Sequence, residues 1–311
     1  MSSSLREGQP PIDIRIVPPG SIILQEKADP ARAEMLAKGI KNLGVFQDPI
    51  LTVPFPGTKE KLMQFDGATR HSAAVALGLN EVVVQVYPDY KKIHIESWAH
   101  HTIISEQELK RGLDKNLNLG LSAVEVNDCN PAVDLSAIAL LFVSEPSEKY
   151  ICVTADNKDI FSRLQALDFV FSLYEVSPRR SALHRPTHKD RLQVLEIDFH
   201  LTTLVEFPPL KHQEILEIVE SGRKVPPGLT RHLPGIDSEM RLDSGVPYHL
   251  IHFEYPLELL DGKTSSDDHQ FNVEALLRNS MPNDYPGFIR VLSWPEPTRD
   301  VIAKARAVKD A

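Results

Sequence analysis

Two cysteines, Cys129 and Cys152, are all that this chain of 311 residues contains. They lie far apart and show no CxxC spacing, so the sequence makes no case for a zinc site, a redox pair or a disulfide framework. Reduced, structural thiols are the expectation. No apolar run approaches the roughly 20 residues that a bilayer-spanning helix needs, and the opening MSSSLREGQPP lacks the apolar stretch of a secretory leader. A cytoplasmic protein without membrane contact is therefore expected. An excess of positive charge is missing as well: 34 Lys and Arg stand against 43 Asp and Glu, a formal net charge of −9. Affinity for phosphate backbones comes from cations that neutralise them, so this balance argues against a nucleic-acid partner. There is no internal repeat, and the 24 prolines punctuate the chain without forming a low-complexity tract.

What is present reads as two α/β domains, since 311 residues exceed one ordinary domain and the 42% hydrophobic content is that of a globular chain. Residues 1–10 read as a disordered, polar tail. Ile12, Ile14 and Ile16 then alternate with polar residues as a half-buried strand. Asp29-Pro30 opens a helix that carries Leu36, Ile40 and Leu43 at helical spacing and stops at Gly44. Asp48-Pro49 introduces a strand over 50–53, and the first domain runs over 11–104. In the second domain, 105–311, a helix is expected from Glu106 to about Leu121. Strands at 138–143 and 150–153 should pair across Glu145-Pro146-Ser147. A helix near 159–164, a strand at 192–197, a helix over 211–219 and a polar loop over 225–232 follow. Residues 263–311 give no clear pattern.

The most informative stretch is KLMQFDGATRHSAAVALGLNEVVVQV, Lys61 to Val86. It reads as strand, Asp66-Gly67 turn, short helix ended by Gly78, and a β-branched strand over 82–86. Such a unit presents the first N–H groups of a helix at the end of a strand, where an anion is favoured. Arg70 adds a cation there. The stretch fits a phosphate cradle, but by itself it fits better an ordinary helix start with Thr69 or Asp66 as cap and Arg70 in solvent. Glu26, in ILQEKADPAR between a strand and a helix start, fits either a functional loop residue or favourable helix electrostatics. Gly262-Lys263-Thr264 is no P-loop, because Leu257 stands where the first glycine belongs. Pro186 separates His184 from His188 and breaks the helical spacing that a metal pair would use. His100-His101 read as structural, and no metal ligands can be named.

Three segments together resemble one family, the free L-serine kinases built on the ParB/sulfiredoxin-like fold. ILQEKADPAR resembles the family's acidic segment, with Glu26 on its catalytic glutamate. FDGATRHSAAVALGL resembles its Asp-Gly-His-His-Arg phosphate-binding turn, and VPPGLTRHLPG resembles the Thr-Arg-His loop of its second domain. The resemblance covers roughly 12–235. It implies a ParB/sulfiredoxin-like N-terminal nucleotide-binding domain with a second, substrate-completing α/β domain. It also implies phosphoryl transfer from ATP or ADP, with Mg²⁺, to the hydroxyl of free L-serine, a small-molecule substrate. Catalytic roles fall on Glu26, Asp66 and Arg70. Nucleotide contacts fall on Asp66, Gly67, Ala68, Thr69 and Arg70, and acceptor contacts on Trp98, Thr230, Arg231 and His232. One departure stands out: Ala68 and Thr69 replace the two histidines of the turn. That change also excludes sulfiredoxin chemistry, since no thiolate stands at Ala68. The competing readings are a ParB-like nucleotide-dependent regulator without turnover and a kinase of another small hydroxyl compound.

Overall fold

A computed structural model describes residues 13–58, 60–115, 120–126, 137–144, 148–156, 159–174, 180–181, 188–196, 202–234, 254–279, 281–284, 290–293 and 298–309. The tail over 1–10, Cys129, His184 and the Glu145-Pro146-Ser147 connection lie outside these residues. The chain forms two compact units, Met1–His94 with His232–Ala311, and Ile95–Arg231. This grouping differs from a linear division at 104, because the C-terminal segment returns to the first unit.

The first unit begins with β1 (Asp13–Val17), β2 (Ile22–Leu24), α1 (Pro30–Leu43), β3 (Val45–Gln47), β4 (Ile50–Pro54), β5 (Leu62–Asp66), α2 (Ala68–Ala76) and β6 (Val82–Val86). Five of these strands make a mixed sheet in the order β1-β6-β4-β5-β2. β2 runs parallel to β5 and β4 parallel to β6, whereas β1 with β6 and β4 with β5 are antiparallel. The run VVVQV of β6 is buried at every position, which suits a central strand covered on both faces. α1 starts and stops as expected: the Asp29 carboxylate accepts from the N–H groups of Ala31 and Arg32, and Gly44 at φ 69° closes the helix. After α2, the N–H of Gly78 bonds to Val75 O and that of Leu79 to Ala74 O, a Schellman ending.

β7 (Ile93–Ser97) carries the chain out of this unit, and β14 (Thr230–Pro234), its partner in a two-stranded ladder, brings it back. Between them lie β8 (Ala99–Thr102), α3 (Glu106–Asp114), β9 (Leu121–Val126), β10 (Ala137–Val143), β11 (Lys149–Ala155), α4 (Ile160–Ser172), β12 (Arg180–Ser181), α5 (His188–Glu196), β13 (Thr203–Glu206) and α6 (His212–Glu220). The strands form an antiparallel sheet in the order β12-β8-β13-β10-β11-β9. β10 and β11 pair as anticipated, Leu140 opposite Cys152.

Three expectations are corrected here. The strand expected over 192–197 is helical as far as Glu196, because Arg191 and Leu195, one turn apart, are both buried on the face toward the sheet. The helix from Glu106 ends at Asp114, and Leu121 opens β9 opposite Ala155, following Gly120 at φ 58°. Thr230, Arg231 and His232 lie on β14 rather than in a loop.

The unpatterned C-terminal segment forms β15 (Glu254–Pro256), α7 (Ser266–Asn279), β16 (Met281–Asp284), β17 (Arg290–Ser293) and α8 (Thr298–Lys309). β15 pairs with β3, and Tyr255, Leu260, Val273, Leu276, Val301 and Ile302 enter the same core as Phe46, Ile50 and the valines of β6.

Candidate functional site

The parallel pairing of β2 with β5 sets the geometry. Leu24 lies opposite Gln64, so Glu26 and Asp66, each two residues further on, leave the sheet at the same end of neighbouring strands. α2 starts at that end. Its N-cap is Gly67 at φ 96° and ψ 24°, which offers no side-chain acceptor to the first amides of the helix. The cap expected from Thr69 or Asp66 is not formed. Arg70 instead reaches back, donating from Nη2 to Asp66 Oδ2. Its guanidinium lies so close over the turn that a Cβ on Gly67 would stand 2.9 Å from both Nε and Nη2. Arg70 Nε is buried and donates to no acceptor among the described residues. Asp66 is the more exposed member of the pair, at 60% against 20%. The arrangement is a cationic side chain beside unpaired helix amides, which suits an oxyanion such as phosphate. Ala68 is buried and contributes backbone only. Thr69 opens the helix beside Arg70. Glu26 is half-buried at the close of the β2 segment.

Two groups that sequence reasoning passed over, Gln25 and Tyr90, adjoin this end of the sheet together with His232. Gln25, fully buried, places Nε2 3.5 Å from Phe65 O and 3.3 Å from His232 Nε2. Tyr90 donates its hydroxyl to Gln25 Oε1 at 3.2 Å and lies 3.3 Å from His232 Nε2. The His232 ring stacks on Tyr90 with centroids 6.0 Å apart and sits 5.5 Å from that of Phe65. Burial pushes the Tyr90 phenol far above its ordinary pKa, so it stays a hydrogen-bond donor. No short motif marks Gln25 or Tyr90; their only signal is a polar residue at the edge of an apolar run.

Residues of the second unit form a separate group. Arg231 donates from Nη1 to Glu96 Oε2 at 2.7 Å, and its guanidinium carbon lies 5.1 Å from the centroid of the Trp98 ring. The Trp98 N–H bonds to Leu229 O, and Thr230 is buried. Arg231 and His232 are adjacent on β14, so their side chains leave opposite faces of the strand. Glu96 is the residue here that the sequence reading left without a role. The buried His100 has a structural environment: Nε2 donates to Gly228 O at 2.8 Å, so Nδ1 accepts from the Tyr174 hydroxyl at 3.1 Å. Among the described residues no cluster of three or more His, Cys, Asp or Glu could hold a metal ion, and no helix is long and apolar enough to cross a membrane.

No family model matches the chain. The ATP-dependent L-serine kinase of Staphylothermus marinus is 24% identical over 225 residues, spanning 68% of this chain and 82% of that protein. Among solved structures, a glutamate-to-alanine variant of a free serine kinase in complex with AMP superposes with a TM-score of 0.55 at 16% identity, covering 72% of this chain and 89% of that one. SbnI from Staphylococcus aureus, C-terminally truncated, gives a TM-score of 0.56 at 20% identity and covers 83% and 92% of the two chains. At these identities the structural likeness establishes the fold, and the mixed α/β architecture anticipated above is the one these proteins share.

Proposed function

We propose that this chain, a relative of the free serine kinases, is itself a small-molecule kinase that transfers a phosphoryl group from ATP or ADP to the hydroxyl of free L-serine. The observation that carries the reading is the joint placement of Glu26 and the Asp66–Arg70 turn at one end of the parallel pair β2 and β5. Phosphoryl transfer asks mainly for positioning and for neutralisation of charge on the moving group. The open amides of α2 and the Arg70 guanidinium supply donors for phosphate oxygens. Thr69 adds a hydroxyl. Glu26 is the carboxylate assigned to accept the proton of the attacking hydroxyl. Trp98, Thr230 and Arg231 are assigned to the acceptor, with the indole and guanidinium stacked and held by Glu96.

Mg²⁺ in kinases is held by one or two carboxylates together with substrate phosphates rather than by an all-protein cage. The exposed Asp66 carboxylate fits that donor set, and the ion would neutralise phosphate charge there. A second reading, a nucleotide-dependent regulator without turnover, is favoured by one feature: Ala68 brings no side-chain donor to the turn.

Phosphorus NMR of the purified protein with Mg²⁺, L-serine and either ATP or ADP tests the proposal, beside a Glu26→Ala control. A phosphoserine signal that disappears in the variant is expected. Nucleotide binding without product from either donor would refute serine phosphorylation and favour the regulator.

A further inference from the structure

We propose that the Asp66 carboxylate is an internal stand-in for phosphate on Arg70, displaced when the nucleotide enters and thereby released to the metal ion. The proposal deepens the kinase reading above and rests on its nucleotide site. Its consequence is that nucleotide and Mg²⁺ bind cooperatively.

The donor fork of the Arg70 guanidinium is half-filled. Its Nε and Nη2 both face the turn, since a Cβ added to Gly67 would stand 2.9 Å from each. Asp66 Oδ2 takes Nη2 at 2.5 Å, and the buried Nε has no acceptor among the described residues. Two other arginine–carboxylate pairs of this chain fill the same fork. Arg15 donates from Nε and Nη2 to the two oxygens of Asp13 at 2.9 and 2.6 Å, and Arg191 donates likewise to Glu206 at 2.5 and 3.1 Å. A buried N–H without an acceptor carries the cost of its lost water. A cation at the start of a helix whose first amides no side chain caps adds repulsion from the helix dipole. A phosphate group relieves both, because its oxygens engage the two fork donors and the amides together. The single oxygen of Asp66 leaves Nε and the amides unmet.

The exchange asks little of the protein. The Asp66 side chain is 60% exposed, so a pair that contributes little is given up and the carboxylate regains water. Arg70 stays over the turn, where phosphate oxygen replaces carboxylate oxygen on Nη2. Asp66 changes more. While it pairs with Arg70 its charge is compensated; once phosphate holds Arg70, carboxylate and phosphate lie side by side, a donor set suited to Mg²⁺. Each ligand prepares the turn for the other, and by linkage the coupling is the same in either order.

The test uses the full chain with ADP as the probe, in EDTA and in saturating Mg²⁺. Binding is followed by calorimetry and by the ¹⁵Nε–H signal of Arg70, assigned by its loss in Arg70→Lys. In EDTA, ADP is expected to move that signal. Asp66→Asn, with no charge to displace, should then bind ADP about threefold more tightly than the parent, the scale of an exposed ion pair. Mg²⁺ should tighten ADP binding by the parent about tenfold, within the usual range of coupling between two ligands, and leave Asp66→Asn nearly unchanged. An Arg70 signal that ADP leaves in place, equal tightening of both proteins by Mg²⁺, weaker binding in EDTA by Asp66→Asn, or no ADP binding by the parent would each overturn the proposal. Serine phosphorylation is a separate readout. Coupled binding without phosphoserine refutes the kinase reading and leaves the exchange standing, whereas phosphoserine with additive binding of ADP and Mg²⁺ refutes the exchange alone.

Discussion

Replacing Gly67 by Ala isolates what the turn at the start of α2 contributes. Gly67 sits at φ 96°, a left-handed conformation that costs an L-residue about 1–2 kcal/mol. The new Cβ would also stand 2.9 Å from Arg70 Nε and Nη2, so the guanidinium must move and its pair with Asp66 must loosen. Asp66 is largely exposed, so that pair contributes less than about 1 kcal/mol. The sum is roughly 1–3 kcal/mol, most of it from the backbone. Since 1 kcal/mol shifts Tm by about 2–4 °C in domains of this size, a drop of roughly 2–12 °C is expected. Gly57→Ala is the matched control: its φ is 77°, yet no described residue lies within 4 Å of the added Cβ. It should lose comparable stability and leave nucleotide affinity untouched. Gly67→Ala, by displacing Arg70, should weaken ADP binding at least about tenfold, or 1.4 kcal/mol, by calorimetric titration. If Gly67→Ala binds ADP as tightly as Gly57→Ala does, the placement of Arg70 over the turn has no part in holding phosphate.

The buried pair of Arg191 and Glu206 makes a second prediction. The two side chains, each under 10% exposed, meet through Nε–Oε1 at 2.5 Å and Nη2–Oε2 at 3.1 Å. Arg191→Met alone should cost about 3–5 kcal/mol in urea unfolding, because it strands a buried carboxylate, and Arg191→Met with Glu206→Leu should cost much less; equal losses would refute the argument. Burial raises the Glu206 pKa despite the opposing Arg191, so the folded state holds this proton more tightly than the unfolded chain. This group's contribution to stability should then be largest at acid pH and fall as pH rises through the folded pKa. In the second unit, Glu96→Gln keeps an acceptor for Arg231 but removes its counter-charge. KM for serine should rise several-fold with a stability change of roughly 1 kcal/mol, and an unchanged KM would separate the Arg231–Trp98 stack from acceptor binding.

Much of the first unit is legible in sequence because its signals are local. Asp29-Pro30 and Gly44 bracket α1 by capping chemistry, and Asp66-Gly67, Gly78 and the valines of β6 mark the strand, turn, helix and strand around the candidate site. The misreadings lie where long-range pairing overrides local preference. The run around Leu192 to Val194 has strand composition, but the burial of Arg191 and Leu195 one helical turn apart decides for α5. Thr230 to His232 look like loop because they follow Pro226-Pro227-Gly228, yet β7 offers them a ladder. Gln25 and Tyr90 carry no motif at all. Their relation to His232 spans 207 and 142 residues of chain, and no local pattern encodes a contact of that separation.

The return of the C-terminal segment follows from what the first part of the chain leaves unfinished. β3 is three residues long, lies outside the five-stranded sheet, and carries Phe46, which is fully buried. β15 pairs with it and brings Tyr255 into the same core. A buried phenol requires a partner, and α7 supplies one. His269 Nε2 lies 3.1 Å from the Glu81 carboxylate, which can only accept, so Nε2 donates and Nδ1 is left to accept from the Tyr255 hydroxyl at 2.7 Å. Asn272 Nδ2 then donates to the Tyr255 oxygen at 3.4 Å. Each contact in the chain fixes the direction of the next, and its first member, Glu81, directly precedes β6. The apolar face of α7, with Val273 and Leu276, sets which side of the helix meets the core. The polar chain adds directed contacts to that face, and so ties the end of the sequence to the sheet from which Glu26 and the Asp66–Arg70 turn project.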